Sequence, residues 1–251
     1  MALCKLNFRS KILGLCTEMH VILPELAAAG MKPVCELPVL TLLHGLSDDA
    51  TAWLRYTSVE RYAAERGICV VLPYGARSFY VDASDGQRFY HYLSREIPLV
   101  TSRAFGLSRD REKNMIAGLS MGGYGAMRHA LGEPDRYFAA GSFSGPLDIA
   151  AWKPVAEAAG GIQIYPGELD RIFGTEPAGT ANDPMALLDR VPADQAPTLY
   201  VSCGTSDPLL SFNRSFAAKA GNGITYREIG GGHTWDVWDK ELVSFLDFAL
   251  K

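Results

Sequence analysis

The chain has 251 residues, of which 48% are hydrophobic and 21% charged, as expected for a soluble globular protein with a large core. Its net charge is −4, with acids and bases interspersed, so it lacks the basic stripe that nucleic-acid binding requires. No apolar run approaches the length of a membrane span. Short β-branched runs alternate with helical patterns, which predicts a mostly parallel sheet covered by helices on both faces. In chain order, the expected elements begin with an antiparallel edge strand over Lys5–Ser10 and strands over Thr17–Leu23 and Pro38–Leu43. A helix over Thr57–Glu65, a strand over Ile68–Leu72 and a long helix over Phe89–Phe105 follow. Then come strand Asn114–Ala117, helix Met121–Leu131 and strand Ala139–Phe143. The chain closes with strand Thr198–Cys203, helix Leu209–Ala220, strand Ile224–Glu228 and helix His233–Leu250. The alternation breaks between about Leu147 and Arg190, a segment rich in Gly, Pro and Ala. It reads as a cap-like insertion in one domain spanning residues 1–251, folded over the C-terminal edge of the sheet, where ligands bind in open α/β folds.

The N-terminus, Met-Ala-Leu-Cys-Lys-Leu-Asn-Phe-Arg, lacks the apolar core of a signal peptide, although a chain trimmed of its leader would read the same way. Cys4, Cys16, Cys35, Cys69 and Cys203 are odd in number and contain no C-x-x-C pair, so they read as reduced thiols in a cytoplasmic protein.

Residues 114–123, Asn-Met-Ile-Ala-Gly-Leu-Ser-Met-Gly-Gly, carry the chemistry. Ser120 stands in a Gly118-x-Ser120-x-Gly122 frame between an apolar run and a helical pattern, the form of a nucleophile elbow. Such a turn brings backbone against positions 118 and 122, where a Cβ would clash. A serine hydroxyl needs a base, and the base needs an orienting group. Asp207 follows the buried-looking strand Thr198–Cys203 in Gly204-Thr205-Ser206-Asp207-Pro208. It suits the acidic role, and it also suits an N-cap for the next helix. His233 follows the next strand in Gly230-Gly231-Gly232-His233, where the glycines imply a sharp turn that delivers the imidazole. Asp236 and Asp239 lie along the same helix as His233 and cannot readily reach its Nδ1. The order Ser, Asp, His is that of α/β-hydrolases.

The buried strand ending at Leu43 is followed by His44-Gly45-Leu46. Acyl transfer creates an oxyanion that is usually met by two backbone N–H groups. Met121, after the nucleophile, and Leu46 are the expected donors, with His44 bracing the loop. His20 reads as structural, and His91 and His129 as surface or packing residues. Phosphate-loop, dinucleotide and H-E-x-x-H motifs are missing, so no cofactor or metal is expected.

These residues together resemble the esterase D and S-formylglutathione hydrolase-like group of α/β-hydrolases, most closely its tributyrin esterase branch, related to feruloyl and acetylxylan esterases. The matching stretches are Leu42–Ser47, Trp53–Arg55 through Val59–Arg61, Arg111–Lys113 with Ile116–Gly125, Phe143-Ser144-Gly145, Cys203-Gly204 through Asp207, and Gly232-His233 with Trp235 and Trp238. The likeness implies a serine esterase of α/β-hydrolase fold with triad Ser120, Asp207 and His233 and oxyanion amides from Leu46 and Met121. The acidic Ser47-Asp48-Asp49 and the Asp236-Val237 pair depart from the group's pattern and bear on alcohol preference.

The acyl pocket is expected around Trp53, Phe79-Tyr80 and the insertion, with Trp53, Tyr80 and Trp235 as candidate walls. The expected substrate is a small acyl ester such as an acetate or butyrate, with aryl or sugar alcohols tolerated. Neither a nucleic-acid nor a membrane partner is expected, and a homo-oligomer is compatible with the composition. An S-formylglutathione hydrolase, an acyltransferase and a non-catalytic binding protein on the same scaffold remain as alternatives.

Overall fold

The computed structural model of this protein describes residues 1–25, 32–159, 164–192 and 194–251. Among the described residues, eight strands form one sheet in the order β1-β2-β4-β3-β5-β6-β7-β8. They are β1 (Ala2–Arg9), β2 (Cys16–Leu23), β3 (Val39–Leu43), β4 (Cys69–Pro73), β5 (Asn114–Leu119), β6 (Ala139–Phe143), β7 (Thr198–Gly204) and β8 (Ile224–Ile229). From β4 to β8 every pairing is parallel. The antiparallel part is larger than the sequence reading implied, because β2 runs antiparallel to both β1 and β4. Residues 10–15 close a tight turn, with Ser10 N–H donating to Leu15 O at 2.9 Å. A link that short can only return the chain as a hairpin.

The helices are α1 (Ala52–Tyr56), α2 (Val59–Arg66), α3 (Phe89–His91), α4 (Ile97–Phe105), α5 (Met121–Gly132), α6 (Ile149–Ala158), α7 (Glu168–Phe173), α8 (Pro184–Leu188), α9 (Leu210–Ala220) and α10 (Trp235–Ala249). Where one helix was expected over Phe89–Phe105, a π-helical turn at Tyr92–Glu96 separates α3 from α4. Pro98 lacks an N–H, and its ring crowds the carbonyl four residues earlier, so the coil widens and Ile97 N–H reaches back to Tyr92 O. The expected helix over Thr57–Glu65 is shortened to α2 and preceded by α1. Thr57 Oγ1 donates to Trp53 O at 2.5 Å and accepts the Val59 N–H at 3.2 Å, which breaks the two apart.

Parallel strands covered on both faces should be apolar throughout, and β3, β4 and β6 are buried at every position. β3 sends Val39 and Leu43 into the core beneath α5 and α4, and Leu40 and Leu42 into the core beneath α2 and α10. The sheet is thus held rigid from both sides, with the ends of β3, β5, β7 and β8 opening at one edge. The segment between β6 and β7 carries α6, α7 and α8; its residues 160–163 lie outside the described residues. Among the described residues, no helix is long and apolar enough to cross a membrane.

Candidate active site

Ser120 sits between β5 and α5 with φ +51° and ψ −119°, a conformation that L-residues adopt only under constraint. The constraint is backbone packing. A Cβ at Gly118 would lie 2.5 Å from the Gly122 carbonyl carbon, and one at Gly122 would lie 2.4 Å from Leu43 O. The Ser120 N–H donates to Phe143 O at 2.9 Å, so β6 holds the turn from the other side.

His233 Nε2 stands 3.0 Å from Ser120 Oγ, and its Nδ1 stands 2.9 Å from Asp207 Oδ2. Carboxylate oxygens only accept, so the imidazole proton is on Nδ1 and Nε2 is free to accept from the hydroxyl. The loops carrying the two residues are laced together. Ser206 N–H donates to Gly231 O at 2.8 Å, and Thr205 N–H to Ile229 O at 2.8 Å. Of the three glycines before His233, Gly231 is the one the geometry requires. Its φ is +138°, and a Cβ there would meet Val237 at 2.4 Å, whereas Gly230 has open space.

Asp207 faces His233, but it is not the N-cap of the next helix as its sequence context allowed: that position in α9 is Leu209, which makes no side-chain cap. Oδ2 faces His233, while Oδ1 accepts the Leu209 N–H at 2.8 Å just before α9. Burial alone would raise its pKa. The hydrogen bond and charge of His233 outweigh that, with smaller help from the Leu209 N–H and the Ser144 hydroxyl, and hold the carboxyl below the usual carboxylate range. Asp239 instead accepts from the Tyr62 hydroxyl at 3.0 Å, away from His233.

The loop after β3 is braced by buried groups. His44 is 1% exposed, and burial pulls its imidazole down to about 4, so it is neutral. Tyr80 donates its hydroxyl to His44 O at 3.1 Å, and Asp48 Oδ2 accepts the Gly45 N–H at 3.3 Å. Met121 opens α5, so its N–H has no partner within that helix. Among the described residues, no group of three or more His, Cys, Asp and Glu could hold a metal ion.

Ser120, His233 and Leu46 open into a cavity of about 420 Å³. Its walls are apolar: Phe79 from the loop after β4, Trp152, Val155 and Ala156 from α6, Leu209 before α9 and Phe212 from α9. The expected walls at Trp53, Tyr80 and Trp235 lie elsewhere. Trp53 is 1% exposed, donates its indole N–H to Leu43 O at 3.0 Å and packs against Phe143. Tyr80 is fully packed beneath the loop after β3, where Gly75 and Gly125 leave room for its ring. Trp235 stacks on Tyr56 and meets Trp53 edge-on, on the α1 side. Trp152, Leu209 and Phe212 went unrecognised because no local pattern marks which apolar side chain will face a cavity. Of the other histidines, His129 is buried and donates to Tyr80 O, whereas His91 pairs with Asp82 at the surface. A second, more polar recess of about 590 Å³ shares Leu46 and carries Ser47, Asp48, Arg77, Gln87 and Tyr165.

A mostly parallel sheet with a strained serine at a strand-to-helix turn, hydrogen-bonded to a histidine from a later loop, defines a serine hydrolase of α/β-hydrolase fold. The family described as "Putative esterase" matches residues 10–248, and the chain belongs to that esterase family. The acetyl esterase of Caldicellulosiruptor saccharolyticus is 30% identical over 263 residues, covering 100% of this chain and 99% of that protein. Among solved structures, the fluorophosphonate-binding serine hydrolase FphF of Staphylococcus aureus superposes with a TM-score of 0.87 at 31% identity, covering 100% of this chain and 98% of that one. S-formylglutathione hydrolase FrmB of the same organism gives 0.85 at 30% identity, covering 100% and 99%. The chain is therefore a serine ester hydrolase.

Proposed function

We propose that Ser120 is the nucleophile, His233 the general base and Asp207 the group that orients and stabilises the imidazolium, in a carboxylesterase acting on short acyl esters. One observation carries this reading: the hydrogen-bonded line from Asp207 through His233 to Ser120 ends at the floor of an apolar cavity. Ser120 Oγ attacks the ester carbonyl while Nε2 takes its proton. The oxyanion is met by the N–H groups of Leu46 and Met121, and His233 then protonates the departing alcohol. Water, activated by the same imidazole, releases the acyl group.

The cavity's size and apolar lining suit an acyl chain of a few carbons, and the insertion bearing α6 acts as a cap over it. The polar recess beyond Leu46 suits the alcohol portion, including a sugar or aryl alcohol. The full-length likeness to an acetyl esterase supports the acyl assignment and the tributyrin-esterase-like reading. The five cysteines are all unpaired, which supports a reducing, cytoplasmic setting.

A thioesterase acting on S-formylglutathione is the second reading, favoured by the full-length likeness to FrmB. Ser120→Ala should lower turnover of p-nitrophenyl acetate and butyrate by at least about 10⁴-fold in a folded protein and abolish fluorophosphonate labelling. Retained turnover would show the nucleophile to be misassigned. Faster hydrolysis of S-formylglutathione than of every oxygen ester would favour the second reading.

A further inference from the structure

Ser47 and Asp48, from the acidic stretch after Leu46, line the polar recess that meets the catalytic cavity at Leu46 itself. Tyr165 lines the same recess and is 60% exposed, a large fraction for an aromatic side chain. Two contacts fix it there. Glu168, itself buried, accepts the Tyr165 backbone N–H at 3.0 Å. The same carboxylate accepts from Arg77 Nε and Nη2 at 2.7 Å each, and this guanidinium lies over the Tyr165 ring, 4.6 Å from its centroid. A solvated tyrosine needs no such support. A ring that is held still and left open is preorganised to receive the flat side of a ligand.

Charge in the recess is unevenly matched. Its two guanidinium groups are already paired, Arg77 with Glu168 at 2.7 Å and Arg171 with Asp85 at 2.8 Å. Asp48 is not neutralised in this way. Its Oδ2 accepts the Gly45 N–H at 3.3 Å, while Arg55, the cation that acts on it, pairs instead with Asp49 at 3.8 Å. Asp48 and Tyr74 also line an adjoining recess of about 520 Å³ with Glu18 and Asp49, and Glu18 is paired with Lys5 at 2.7 Å. An anion in the recess would meet the Asp48 carboxylate at cost. Hydroxyl groups would instead donate to it and exchange hydrogen bonds with Ser47, Tyr74 and Gln87. A bare aromatic alcohol would leave those polar groups unanswered.

We propose that the recess is a leaving-group subsite for an uncharged sugar: the sugar ring stacks on Tyr165, its hydroxyls bond Asp48 and Gln87, and the Asp48 charge turns anionic leaving groups away. This rests on the reading of Ser120 as the nucleophile, which sets the acyl group in the apolar cavity and the departing alcohol beyond Leu46. Glutathione brings two carboxylates against one ammonium, so the same charge weighs against an S-formylglutathione substrate.

The test is kinetics on acetyl esters that differ only in the alcohol, with the folding of each variant checked by thermal melting. In Tyr165→Ala, kcat/KM for an acetylated methyl glucoside should fall about tenfold, while that for ethyl acetate changes by less than about twofold. Tyr165→Phe keeps the ring and should retain about half the parent rate or more. Equal losses on both esters, or no loss on either, would overturn the stacking platform. A loss as large on phenyl acetate as on the sugar ester would overturn the sugar. For the charge, the parent should hydrolyse neutral acetoxyacetamide faster than anionic acetoxyacetate, and Asp48→Asn should narrow that ratio about threefold at low salt. Taking the ratio cancels any general loss from the freed Gly45 N–H. If Asp48→Asn does not fold, about 0.5 M salt added to the parent should narrow the same ratio. A ratio that neither change moves, or faster turnover of S-formylglutathione than of the sugar ester, would overturn the exclusion of anions. Failure of the underlying triad would look different: turnover surviving in Ser120→Ala.

Discussion

His44 accepts the backbone N–H of Gly75 on Nε2 at 2.9 Å, while its Nδ1–H donates to Gly45 O at 2.8 Å. One neutral ring therefore ties the loop after β3 to the loop after β4, and both of its nitrogens are occupied by backbone. A ring so engaged has no proton to exchange with substrate, which fits the bracing role expected from its place beside Gly45.

His44→Ala leaves the Gly75 N–H buried without a partner and frees the loop that carries Leu46. We expect a stability loss of about 1–3 kcal/mol in urea unfolding. We also expect a fall in kcat on the order of tenfold or more, through loosening of the Leu46 N–H proposed to meet the oxyanion. Unchanged kcat would detach this loop from catalysis.

Acid should destabilise the fold before most carboxylates titrate. Burial lowers His44 from the ordinary 6.5 to about 4, and burial, with the nearby Arg128 charge, lowers His129 to about 3. The unfolded chain binds these protons first, so stability falls as pH drops below 6.5, until the folded state can bind them as well. Each group contributes a slope of up to about 1.4 kcal/mol per pH unit in that window. Urea unfolding at pH 7.5, 5.5 and 4.5 should show the decline, and His129→Gln should flatten it. A flat profile for the parent protein would refute neutral burial of both rings.

Gly122→Ala would place a methyl 2.4 Å from the Leu43 carbonyl oxygen, a backbone atom that cannot swing aside. The elbow or β3 must shift, so we expect destabilisation on the order of 3 kcal/mol and near-complete loss of turnover. Gly230→Ala, with open space around it, should melt within a few degrees of the parent.

Trp152 lines the cavity, whereas Trp53 is buried beneath the β3 loop. Trp152→Ala should shift the preference among p-nitrophenyl esters toward longer acyl chains with little change in melting temperature. Trp53→Phe should lower stability by about 1–3 kcal/mol, since the Leu43 carbonyl loses its donor, and leave chain-length preference unchanged. The reverse pattern would return Trp53 to the acyl pocket.

The sheet was legible because a strand buried on both faces writes itself as a predominantly apolar run, as in Val39–Leu43, where Thr41 is the one polar residue, and in Cys69–Pro73. The elbow was legible because backbone touching backbone at Gly118 and Gly122 admits one residue type. The contents of the cavity were not. Trp53, Trp152 and Trp235 are alike as residues, and which of them meets substrate depends on how α1, α6 and α10 stack, a sum of contacts between segments far apart in the chain. The break before Pro98 lay between these cases: the proline was in view, but the π-helical turn that absorbs it was settled by packing.

Chain order and residue chemistry alone therefore determined an α/β sheet with a serine, an acid and a histidine each following a strand, because those demands are local and steric. Only the tertiary structure decided that Asp207 divides its two oxygens between His233 and Leu209, that Trp238 lies edge-on to the imidazole, and that α6 walls the cavity. Hydrogen-bond direction and burial are properties of neighbours in space, and these residues become neighbours only when the sheet closes.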